Sequence, residues 1–115
     1  MTAEPSTVVI EYRAQPGKHE VARRRLADLI ALVVAREPDC LGIVLSQDPA
    51  DPTRLLLYER WTDQAIFQGP HMDTPHLQQF RAEAHEFLAG PPQTSFWREV
   101  CEAKPLSLGG TIRRE

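Results

Sequence analysis

The chain has 115 residues, the size of one ordinary domain, and its 42% apolar and 25% charged residues are close to the globular average, which excludes disorder as the main reading. Its 13 Lys and Arg against 16 Asp and Glu leave a net charge of −3, so nucleic acid is not an expected partner. The longest apolar run, Leu29 to Ala35, is too short to span a bilayer, and no membrane partner is expected.

Residues 1–6 read as a short flexible lead. Thr7 to Arg13 is rich in β-branched and aromatic residues and predicts a strand, which Gln15-Pro-Gly17 ends. From Lys18 to Glu37 the period changes. Ala22, Leu26, Leu29, Ile30 and Val33 make one apolar helical stripe, with Glu20 and Arg24 as an (i, i+4) pair and Arg25 and Asp28 on the outer side. Pro38 closes this helix. Cys40 to Asp48 predicts a second strand, and the Pro- and Asp-rich segment 48–53 predicts a hairpin loop.

Arg54 to Trp61 predicts the third strand, with Leu55, Leu57, Glu59 and Trp61 on one face and Leu56, Tyr58 and Arg60 on the other. A helical turn capped by Asp63 follows over 63–68, and Gly69-Pro70 breaks it. A second long helix is expected from Thr74, a capping residue, and Pro75, suited to the first helical position. Its stripe is Leu77, Phe80, Ala84, Phe87 and Leu88, and Gly90-Pro-Pro92 stops it. Gln93 to Ala103 predicts the last strand, and 104–115 a polar tail.

The order β-α-β-β-α-α-β gives an α+β domain over 7–103, a ferredoxin-like split βαβ with a four-stranded antiparallel sheet and helices on one face. Neither face of the third strand is uniformly polar, so both need covering. A symmetric homodimer, sheet against sheet, is the simplest way to cover the second one. Cys40 and Cys101 fall in predicted strands and are expected to be packed, reduced thiols of a cytoplasmic chain.

Chemistry-bearing side chains concentrate between Glu59 and His76. Glu59 and Trp61 share a strand face, so burial beside an indole should raise the carboxyl pKa unless a partner compensates. The simplest role for Glu59 there is structural, as an ion-pair or cap acceptor. His76 stands in the first turn of its helix, where the macrodipole disfavours a charged imidazole, and a neutral one can act as a base. His71 could reach the same space. Trp61, Phe67 and Phe80 lie near the histidine loop and could line an apolar pocket. The His-x4-His spacing across a proline is not a recognised ligand motif, so no metal is expected. No phosphate loop or dinucleotide fingerprint occurs.

The string Tyr58-Glu-Arg-Trp-Thr-Asp-x-Ala65, followed by His71 and by Thr-Pro-His76-Leu-x-x-Phe80, resembles the antibiotic biosynthesis monooxygenase domain family, whose members include quinol monooxygenases and other dimeric α+β barrel proteins. The resemblance spans roughly residues 7–103. It implies a dimeric α+β barrel with a pocket between each sheet and its helices. It also implies oxidation of a small electron-rich aromatic, a quinol or polyketide-like phenol, by dioxygen without flavin, haem or metal. On that basis His76 is the base candidate, Trp61 a wall and indole donor, and His71 and Glu59 are supporting groups, with Phe67, Phe80, Leu57 and Tyr58 around the substrate. Leu57 and Phe67 stand where aromatic-polyketide oxygenases carry asparagine and tyrosine, and Phe80 stands where haem-degrading relatives carry an axial histidine. The alternatives are a cofactor-free isomerase or lyase and a non-catalytic small-molecule-binding dimeric module.

Overall fold

The computed structural model describes residues 4–106. Its elements are β1 (Ser6–Arg13), α1 (His19–Arg36), β2 (Cys40–Gln47), β3 (Arg54–Trp61), α2 (Gln64–Gln68), α3 (Pro75–Glu83) and β4 (Gln93–Arg98), with 3-10 turns at Pro70–Asp73 and Ala84–Glu86. The four strands form one antiparallel sheet in the order β2-β3-β1-β4, the expected ferredoxin-like arrangement with helices on one face.

Alternation decides which side chains face the helices. On β1 these are Val8, Ile10 and Tyr12, and on β3 Leu55, Leu57, Glu59 and Trp61, all buried. A bulge between Cys40 and Gly42 brings two residues of opposite parity, Cys40 and Ile43, onto that same face. Gly42 sits there at φ 152°, a conformation that side-chain-bearing residues rarely adopt. The Cys40 thiol is buried, and its pKa is pushed up to about 11 by desolvation, so it is a packed, unreactive group.

The stripe of α1 is as its period predicts: Ala22, Leu26, Leu29 and Val33 are buried, and Ile30 packs beside them. Glu20 pairs with Arg23 rather than Arg24. Arg25 does not lie on the outer side. It pairs with Glu83 of α3 and sits 5.2 Å from the centre of the Phe87 ring, tying the two helices together.

Three boundaries differ from the sequence reading. The second long helix ends at Glu83, because the chain tightens into a 3-10 turn and then peels away to pair with the end of β1: Ala89 N–H donates to Arg13 O at 2.8 Å, and Leu88 bridges Ala14. Phe87 and Leu88 are buried, but beyond the helix. The Thr74 hydroxyl does not cap α3; it donates to the His71 carbonyl at 2.9 Å. Finally, β4 stops at Arg98, opposite Ser6, where its partner strand begins. Glu99 then turns to accept from Arg60 and Thr7. Cys101 therefore lies outside the strand and is exposed, not packed.

The sheet face away from the helices is partly apolar. Val44 (58% exposed), Tyr58 (44%) and Val9 stand in register across β2, β3 and β1, with Leu41 and Trp97 beside them. Among the described residues, no helix is long and apolar enough to cross a membrane.

Candidate active site

The site is built where α1 ends, the loop after α2 turns, and β3 runs beneath both. Asp63 accepts from Ala65 N–H at 3.0 Å and starts α2, which carries Phe67 inward. The 3-10 turn Pro70–Asp73 after Gly69 then swings His71 under the helices. His71 stacks on Phe67 (4.9 Å between ring centres, 29° between planes), and Trp61 lies 4.7 Å away on a tilt. Thr74 and Gln78 hold the turn by donating to the carbonyls of His71 and Met72.

Glu37, the residue that terminates α1, joins the two histidines. Its carboxylate oxygens lie 2.9 and 3.0 Å from His71 Nδ1, and one of them lies 2.6 Å from His76 Nε2. An ionised carboxylate only accepts, so each ring places an N–H at that contact. Burial holds the His71 pKa below the usual imidazole value, although the Glu37 hydrogen bond and charge oppose the shift. His71 is thus a neutral imidazole at neutral pH. The second ring nitrogen of His76, Nδ1, is buried and has no partner among the described residues.

A cavity of 370 Å³ lies between the sheet and the helices, within the range of about 300–1,000 Å³ typical of small-molecule sites. Its wall is mostly apolar, with Leu57, Phe67, Leu77 and Phe80 among the lining side chains. The polar groups on it are few: His71, Glu59, Tyr12 and Arg81 side chains and the Thr94 position. With His71 Nδ1 committed to Glu37, the ring nitrogen left for a bound molecule is Nε2. Glu59 is buried and accepts from Trp61 Nε1 at 2.8 Å. Desolvation raises its pKa to about 7 despite that hydrogen bond, and the nearby Glu37 charge adds to the rise. One cavity therefore holds a base kept neutral and an acid kept partly protonated, the separation that acid–base chemistry uses.

The sequence profile described as antibiotic biosynthesis monooxygenase matches residues 5–83. The chain belongs to the antibiotic biosynthesis monooxygenase family. Solved structures carry the same fold. A Pseudomonas aeruginosa protein is similar at 26% identity and a TM-score of 0.77, over 88% of this chain and 99% of its own. A Caulobacter crescentus protein assigned provisionally to the antibiotic biosynthesis monooxygenases is similar at 23% identity and TM-score 0.77, over 85% and 92% of the two chains. A Nitrosomonas europaea protein with the same provisional assignment is similar at 19% and 0.77, over 87% and 94%. No curated protein matched the sequence.

The structure of this antibiotic biosynthesis monooxygenase family member sorts the sequence-derived candidates. His71, Glu59, Phe67, Phe80 and Leu57 meet at the cavity. Tyr58 does not, and its assignment to the pocket is corrected. Strand alternation turns it to the opposite face of the sheet, where it is 44% exposed. Trp61 is fully buried behind the wall and reaches the site through its hydrogen bond to Glu59. His76 also sits behind the wall, its Nε2 spent on Glu37, so the nitrogen offered to a bound molecule is that of His71 instead. Glu37 itself was missed, and so were Tyr12 and Arg81 as lining residues. Tyr12 had a signal, because it shares the inward parity of Val8 and Ile10 on β1.

Proposed function

We propose that the chain is a monooxygenase that oxidises a small electron-rich aromatic, a quinol or polyketide-like phenol, with dioxygen and without a resident cofactor. The observation that carries this reading is a buried His71 held by Glu37 on one side and bordering an apolar cavity on the other. A phenol in the cavity would give its proton to His71 Nε2. The imidazolium so formed is stabilised by the Glu37 carboxylate. The phenolate is electron-rich enough to reduce dioxygen. One oxygen atom joins the ring and the other leaves as water, with two hydrogens and the electrons drawn from the substrate, so a phenol ends as a quinone. Glu59, near its titration point at neutral pH, is placed to return a proton to the departing oxygen. The mostly apolar wall limits the water that can reach the intermediate.

The test is oxygen uptake by chelator-treated protein with a panel of hydroquinones and naphthols. Turnover is expected with at least one of them, falling on the order of 10²-fold in His71→Gln. A flat trace across the panel from folded protein would overturn the reading. Product formed without oxygen would replace it with an isomerase or lyase.

The same reading includes a homodimer. Its support is the apolar band formed by Val44, Tyr58 and Trp97 on the sheet face away from the helices. Tyr58→Asp places a charge at the centre of that band. Sedimentation velocity is expected to show the wild type as two chains and Tyr58→Asp as one, with unchanged circular dichroism. A wild type that sediments as a single chain at micromolar concentration would remove the dimer.

A further inference from the structure

The geometry points to Glu37 as a positioning residue that fixes His71 as the Nδ1–H tautomer and so presents the Nε2 lone pair to the cavity. The inference rests on the monooxygenase reading for its chemical use, but the tautomer is a property of the protein alone.

Glu37 meets His71 Nδ1 through both oxygens, at 2.9 and 3.0 Å, and His76 Nε2 through one, at 2.6 Å. It has no proton to give, so both imidazoles must donate to it. The two rings are thereby held in opposite tautomers: Nδ1–H for His71 and Nε2–H for His76. A free neutral imidazole side chain in water favours Nε2–H, so His71 is held in the form it would otherwise adopt less. Without the carboxylate, the default tautomer would turn an N–H toward the substrate, and the base would become a donor. Burial of the Glu37 side chain (11% exposed) keeps water from taking its place at either ring.

His76 has a part in this arrangement although it does not border the cavity. Its Nδ1 is buried without a partner among the described residues. An unpaired lone pair there is tolerable, whereas an unpaired N–H would be a buried orphan donor, which folded proteins rarely keep. His76 is therefore locked as the Nε2–H form and must always donate to Glu37. This decides what happens when the carboxylate is replaced by an amide. In Glu37→Gln the side chain has one accepting oxygen and one donating nitrogen. The oxygen must serve His76, and the NH₂ then stands in the position 2.9 Å from His71 Nδ1, where its own hydrogens favour an accepting nitrogen over a second N–H. His71 is then drawn to the Nε2–H tautomer. Gln keeps the shape of Glu but inverts the base. Glu37→Asp is shorter, but it only accepts, so it keeps the tautomer wherever it reaches the ring.

The experiment is long-range ¹⁵N–¹H correlation NMR of the imidazoles in uniformly labelled protein, with His71 and His76 assigned by loss of signals in His71→Gln and His76→Gln. Wild type is expected to show His71 as Nδ1–H and His76 as Nε2–H. Glu37→Gln is expected to switch His71 to Nε2–H and leave His76 unchanged. On any aromatic that wild type oxidises, Glu37→Gln should lose at least about tenfold in kcat with little change in KM, and Glu37→Asp should recover part of that loss. A purely structural carboxylate predicts the reverse order, with the isosteric Gln better than Asp. His71 found as Nε2–H in wild type, or a His71 tautomer unmoved in Glu37→Gln, would overturn the inference. Should Glu37→Gln fail to fold, the wild-type and Glu37→Asp spectra decide it. If no aromatic is turned over, the reaction reading fails while the tautomer spectra still decide the role of Glu37.

Discussion

Replacing Glu37 with alanine is expected to lower the free energy of unfolding by about 3–5 kcal/mol at pH 7, because two buried hydrogen bonds to one charged group are lost at once. The His76 N–H would then have no acceptor, and His71 would have to move its proton to Nε2, losing its own bond to the carboxylate. Both rings are nearly inaccessible, with side chains 5% and 4% exposed, so water cannot replace the carboxylate without opening the packing around Trp61 and Phe67. An orphaned buried donor costs its full desolvation, and His76 keeps one whichever ring nitrogen carries its proton. For a domain whose total stability is about 5–15 kcal/mol, the variant should sit close to the threshold of folding. The check is urea unfolding at pH 7, with Glu20→Ala as the control. Glu20 also pairs with an arginine, Arg23, but on the exposed side of α1, and its removal should leave the midpoint in place. A Glu37→Ala loss below about 1 kcal/mol would mean that the imidazoles find other acceptors.

Glu37 also marks the limit of what the sequence reveals. The apolar period of α1, the alternation of β3 and the Asp63 cap are local patterns, each contained in one turn or one strand, and they are legible residue by residue. From them follow the antiparallel sheet, the buried Glu59-Trp61 pair and the inward Phe67. Glu37 stands in the polar run Arg36-Glu37-Pro38-Asp39, which reads as the solvated end of a helix. Its partners lie 34 and 39 residues further on, and no spacing relates them. Only the antiparallel return of β2 and β3 brings the end of α1 over the histidine loop. Thr62 pairs with Asp39 on the same seam, through its hydroxyl at 2.9 Å, and pins the two segments together.

The choice between His71 and His76 was closed to the sequence for a related reason. Both precede or begin a helix, and both are flanked by proline. Which ring meets the cavity depends on the 3-10 turn at Pro70–Asp73, whose carbonyls take the Thr74 hydroxyl that the sequence assigns to a cap. The ends of α3 and β4 were misplaced because each is set by a partner strand. Pairing with β1 draws the chain out of α3 and stops β4 at Ser6, overriding the local helix and strand preference of the residues beyond.

The second large effect is a gain. Glu59→Gln is expected to stabilise the protein by about 3 kcal/mol at pH 8 and by little below pH 4.5. The carboxyl has an ordinary pKa of 4.5 and a folded value of about 7. Below 4.5 both states carry the proton, and burial imposes no electrostatic cost. Between 4.5 and 7 the unfolded chain ionises while the folded one keeps its proton, so stability falls as pH rises. Above 7 the folded carboxyl ionises too, and the cost of holding a charge beside Leu57 and Trp61 is fully expressed. The glutamine oxygen can still accept from Trp61 Nε1, so the hydrogen bond at 2.8 Å has a successor. His71 acts in the opposite sense. Its lowered pKa takes stability away as pH falls through the imidazole range, and it does so in both proteins, so it cancels in the difference. Urea unfolding of the two proteins at intervals from pH 4.5 to 8 measures that difference directly. A gap that opens across this window places the Glu59 proton in the folded state, where the proposed chemistry needs it. A gap that stays constant with pH would show that Glu59 titrates in the folded chain as it does in the unfolded one, and would remove it as a proton donor at neutral pH.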